Sequence, residues 1–171
     1  MELLRIVIDK VCLQEAAAKG DYEYLQVFVN HYLDALGGEL TANNMGMLRG
    51  EQISLVAYSI FRNEVLEGGF VQLIHNGYGS FFFNNPFAKA MRLMGADDFA
   101  RLLNRAKRLY VKHKDIIMPD CSYEEFMALY EKFPAFDKLD DAFVGMEEEV
   151  TATLARYVNQ HLELFAELGK D

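Results

Sequence analysis

Within residues 67–76, Glu67, Gln72, His75 and Asn76 supply a carboxylate, two amides and an imidazole. Brought together, these groups suit a small polar pocket, for a small molecule or for proton-transfer chemistry. The structural alternative is that Gly68-Gly69 lets the chain turn, Phe70 anchors the turn in the core, and Gln72 and Asn76 bond loop amides. A second chemistry is electrostatic. Asp137, Asp140, Asp141, Glu147, Glu148 and Glu149 are the densest carboxylates, and Glu124, Glu125 and Glu131 extend the same acidic stretch. Displayed on a surface, they suit a basic protein partner. On a helix they are also an ordinary solvated face, with Glu147 to Glu149 favouring a helix start through its dipole. Arg101, Arg105, Arg108 and Lys112 form an opposite stripe at helical spacing. It either pairs with those acids or grips phosphate groups by itself.

Other catalytic signatures are missing from the sequence. The four histidines, His31, His75, His113 and His161, form no His-Glu-x-x-His pair and stand at no ligand spacing to either cysteine. Gly77-Tyr78-Gly79-Ser80 lacks the lysine and the remaining glycines of a phosphate loop, and no Gly-x-Ser-x-Gly elbow occurs. Asp137, Asp140 and Asp141 do not match a calcium loop. The expectation is a protein without enzymatic activity, metal or cofactor.

The chain has 171 residues, 51% of them hydrophobic and 25% charged, which is globular composition with enough apolar material for one core. No run of eighteen apolar residues exists, and the Ile6-Val7-Ile8 stretch is broken by Asp9-Lys10, so neither a membrane span nor a signal peptide is expected. That reading makes the protein cytoplasmic. Cys12 and Cys121 are expected to be buried free thiols. A net charge of −9 disfavours nucleic acid as a direct ligand, since that binding relies on cations displacing counterions. The charge is uneven. Residues 86–114 carry 2 acids and 8 bases, whereas residues 115–171 carry 14 acids and 4 bases.

The periodicity predicts helices throughout. Residues 2–18 form one, closed by Gly20; Asp21 caps a second with Leu25, Phe28, Val29, Tyr32, Leu33 and Leu36 inward, ended by Gly37-Gly38. A third spans about 51–66, Gly68-Gly69 interrupts it, and Phe70 to Asn76 adds two turns. Asn85-Pro86 starts a short helix, with proline at its first position, and Asp97 or Asp98 starts the one bearing the basic stripe. Ser122-Tyr123-Glu124-Glu125 fits a capping box opening a helix that Pro134 ends. The last runs from Leu139 to Leu168 with a bend near Gly145. Strand alternation and internal repeats are not evident.

The stretch Asn63-Glu64-Val65-Leu66-Glu67-Gly68-Gly69-Phe70-Val71-Gln72-Leu73-Ile74-His75-Asn76-Gly77 resembles the signature of a bacterial family of small helical domains, largely of unknown function. The best-known member of that family is an acidic DNA mimic that binds a helix-turn-helix repressor. Glu64-Val65, Gly68-Gly69-Phe70, Gln72 and Asn76 match its pattern, while Glu67 departs from the usual asparagine. The likeness continues through Met94-Gly95-Ala96, Ala106, Leu139-Asp140 and Arg156-Tyr157-Val158-Asn159-Gln160-His161 to Phe165. It covers about residues 50–168, with 1–45 only loosely similar.

The expectation is one all-α domain over residues 1–171, with seven or eight helices. What the resemblance implies is a protein-interaction module, an acidic DNA mimic that occupies the DNA-binding surface of a transcription regulator. Its contact residues are then Asp137, Asp140, Asp141, Glu147, Glu148 and Glu149. The motif residues Glu67, Gly68, Gly69, Phe70, Gln72 and Asn76 have a mainly structural task. The alternative is a small-molecule or enzymatic site around the Gly68–Asn76 loop. A homodimer is compatible with either reading.

Overall fold

The computed structural model of the protein describes residues 2–169. They form nine α-helices, seven of them of at least seven residues, and one pair of two-residue strands. The all-α expectation holds. The chain divides into two units, residues 60–150 forming one and residues 1–59 with 151–171 the other.

In the second of these, strand β1 (Val7–Ile8) pairs in parallel with β2 (Glu167–Leu168). Residues 2–9 were expected to be helical, but Ile6 and Ile8 are buried while Val7 is exposed, the alternation of a strand. A partner 160 positions away along the chain decides this, and local periodicity carries no trace of it. Helix α1 (Lys10–Lys19) therefore starts late, where the Asp9 side chain accepts a hydrogen bond from the Cys12 amide. Helix α2 (Asp21–Leu36) buries Tyr24, Leu25, Phe28, Val29 and Tyr32 and ends on left-handed Gly37, as expected. Helices α3 (Gly50–His75) and α8 (Asp137–Gln160) each contribute to both units. The closing helix breaks at His161; a single turn, α9 (Leu162–Phe165), precedes β2. The break is held by the Phe165 carbonyl, which accepts from the Tyr32 hydroxyl at 2.8 Å and from Gln52 Nε2 at 2.9 Å. α8 itself passes through Gly145 without a non-helical residue.

In residues 60–150, α3 continues, followed by α4 (Gly79–Phe83), α5 (Phe87–Leu93), α6 (Asp97–Ile117) and α7 (Tyr123–Lys132), with the 3-10 turn Pro134–Phe136 leading into α8. Pro86 flanks α5 rather than occupying its first position. The core is aromatic. The Phe61 ring meets those of Phe70, Phe82, Phe99 and Phe143 edge-on, with centroids 5.0–5.5 Å apart. Such geometry sets the positive ring edge on the negative face. The Ser122–Glu125 capping box is present in full at the start of α7. Both cysteines are exposed, contrary to expectation. Cys12 lies away from the buried Leu13 and Ala16 of α1, and Cys121 lies in the connection before α7.

Candidate functional site

The motif stretch builds a bend in α3. Gly69 takes φ 72°, ψ −174°, a backbone region that only glycine enters without strain. A side-chain carbon on Gly69 would collide with the Asp140 carboxylate, and one on Gly68 with the Gln72 side chain. The groups that the bend strips of helical partners are satisfied from outside α3. Asp140, on the first turn of α8, accepts from the Phe70 amide at 2.8 Å. Tyr130, on α7, donates its hydroxyl to the Gly68 carbonyl at 2.8 Å. Asp140 thus acts as the cap of the helix that restarts at Phe70, a place where helix polarity favours a negative charge.

Across the bend, Glu64 is the anchor. Its Oε2 accepts from Asn76 Nδ2 at 2.9 Å and from Gln72 Nε2 at 3.2 Å. The structural reading of Gln72 and Asn76 expected loop amides as their partners; a carboxylate takes that place, one helix segment joined to the next. His75 hydrogen-bonds through Nδ1 to the Ile117 carbonyl at 2.7 Å, and since a carbonyl only accepts, Nδ1 carries the proton. Glu64, Glu67, Gln72, His75 and Asn76 also line an open cleft of about 380 Å3, together with Ser122, Tyr123 and Phe126. The polar groups singled out around the bend are therefore brought together. Among the described residues, no group of three or more His, Cys, Asp or Glu side chains is placed to hold a metal ion.

Burial pushes the Asp140 carboxyl up to about 6; the Phe70 amide opposes this and the neighbouring charges of Asp137 and Asp141 add to it. Burial also raises the Tyr130 phenol, helped by the charges of Asp140 and Glu67.

The six carboxylates of α8 divide. Asp137, Asp141, Glu148 and Glu149 are exposed. Asp140 is half-buried in its capping role, and Glu147 is half-buried in an ion pair with Arg62 of α3. The basic stripe is on the surface: Arg101, Arg105, Arg108 and Lys112 are all exposed, and Arg101 pairs with Asp98 on its own helix. Arg105 and Arg108 have no ion pair among the described residues. Sequence reasoning missed three functions: Glu64 as anchor, Tyr130 as donor to the bend, and Arg62 as partner of Glu147. For Glu64, its place inside the motif was the available signal; the other two pairs are 62 and 85 positions apart and left none.

The profile of the family described as DMP19-like protein matches residues 47–161, from just before α3 to the break after α8. The chain is also similar to the DNA mimic protein DMP19 of Neisseria meningitidis serogroup B, with 31% identity over 147 residues, covering 85% of this chain and 88% of that one. The motif, the bend it builds and these two matches together establish that the chain belongs to the DMP19-like family.

Proposed function

We propose that this protein is a non-enzymatic DNA mimic whose acidic surface occupies the DNA-binding face of a transcription regulator. The similarity to a DNA mimic protein along most of both chains carries the reading. The exposed carboxylates Asp137, Asp141, Glu148 and Glu149 on α8 are the contact residues it assigns first. At 1.5 Å per residue these span about 18 Å, a length over which a DNA duplex presents about ten charges. Four are too few, so the surface recruits acids from beyond α8. Glu67 at the bend and Glu124, Glu125 and Glu131 on α7 are exposed and belong to the same unit. Asp140 and Glu147 support this surface by holding α8 against α3, rather than by reaching the partner.

The partner is then a basic DNA-binding protein, and binding is electrostatic. Raising salt from about 50 to about 300 mM, which shortens the Debye length, releases it. The test is a pull-down from lysate of the host with tagged protein, followed by competition of the retained regulator against its DNA. Charge reversal at Asp137, Asp141, Glu148 and Glu149 together abolishes retention and the competition. Undiminished binding by that variant removes the assignment.

A further inference from the structure

We propose that the cleft between α6 and the start of α8 is a binding site for a nucleoside polyphosphate, which places its phosphates on Arg105, Arg108 and Lys138 and its base on an apolar floor. The cleft measures about 490 Å3 and is lined by those three cations together with Leu109, Pro134 and Ala135. No Asp or Glu lines it. Its volume falls within the roughly 300–1,000 Å3 that small-molecule sites occupy.

Arg105 and Arg108 stand one turn apart on α6, close enough for their guanidinium groups to fork onto one phosphate chain. Lys138 reaches the same opening from α8, because α6 packs against the 3-10 turn Pro134–Phe136 that leads into that helix. None of the three cations has an ion pair among the described residues. A neighbouring hollow lined by Asn104, Lys107, Arg108 and Val111 shares Arg108 and extends the cationic strip along α6. Leu109, Pro134 and Ala135 give one side of the opening the apolar character that suits a base or sugar.

The surroundings favour a compact anion over a polymer. Asp137 and Asp141 flank Lys138 on α8 and are exposed, although they do not line the cleft. A nucleic acid strand running past the cleft meets those acids, whereas a nucleotide places its charge within a Debye length of the three cations, roughly 8–10 Å. The site adjoins Asp137 and Asp141 of the acidic surface but does not depend on the DNA-mimic reading.

The protein is titrated calorimetrically with ATP, with inorganic triphosphate and with a single-stranded DNA of about twenty nucleotides at about 50 mM salt. Saturable one-to-one binding of ATP is expected, at least about tenfold tighter than inorganic triphosphate, which has the same phosphates but nothing to place on the floor. Arg105→Ala, Lys138→Ala and Ala135→Glu each weaken ATP binding by at least about tenfold. These side chains are exposed, so unchanged circular dichroism and melting accompany the loss. Absence of saturable ATP binding overturns the proposal, as does ATP binding that these variants leave intact. Inorganic triphosphate binding as tightly as ATP overturns it too, by removing the floor. Tighter binding of the oligonucleotide through the same residues overturns it in favour of a nucleic acid surface.

Discussion

Residues 60–150 carry two charged regions that the fold treats in opposite ways. Around the bend of α3 the carboxylates are used internally. Asp140 caps Phe70, Glu64 gathers Gln72 and Asn76, and Glu147 pairs with Arg62. Along α6, Arg105, Lys107, Arg108 and Lys112 are exposed and have no ion pair among the described residues. High charge density therefore has different meanings in the two places. At the bend it stabilises a backbone geometry that helix bonding alone cannot complete; on α6 it contributes little to the fold and is available to a ligand.

Substitutions separate the two cases. Gly69→Ala is the most damaging, since it forces a side chain into a glycine backbone region and displaces the Asp140 cap; a loss of about 3 kcal/mol is expected in urea unfolding. A much smaller loss means that the bend relaxes. Asp140→Ala follows at about 2 kcal/mol, leaving the Phe70 amide without its acceptor.

Asp140 also brings a pH dependence. Its carboxyl sits at about 6 in the folded protein against an ordinary 3.8, so the folded state holds this proton more tightly than the unfolded one. The stability from this group is fully present below the unfolded value and declines as pH rises to about 6. After discounting for solvent screening, the change is of order 1–2 kcal/mol. Asp140→Asn keeps an acceptor for Phe70 but cannot titrate, so it gains on the native protein across that window. A stability difference that stays flat with pH rejects this origin.

Tyr130→Phe removes one hydroxyl from the Gly68 carbonyl and costs about 1 kcal/mol. At the other extreme, Arg105→Ala, Arg108→Ala and Lys112→Ala combined shift stability by no more than about 0.5 kcal/mol. A large loss in that triple variant breaks the contrast between the two regions, by showing that the α6 cations hold structure after all.

Several elements were legible in the residues because their determinants are local. The capping box at Ser122, the left-handed end at Gly37, the interruption at Gly68-Gly69 and the exposed stripe of α6 all depend on neighbours within a turn or two. Such features include the amphipathic spacing of α2 and α6, and from them the all-α class follows. The polar groups of the motif meet around one bend because they lie within two turns or so of Gly69. The tertiary structure decided what those groups do there. It turned Val7–Ile8 into a strand by supplying Glu167–Leu168, and broke the closing helix at His161 through bonds from Tyr32 and Gln52 to Phe165. It also withdrew Asp140 and Glu147 from the acidic face. In each case the deciding partner is dozens of residues away, and burial with one hydrogen bond or ion pair outweighs a local preference of a few tenths of a kcal/mol per residue.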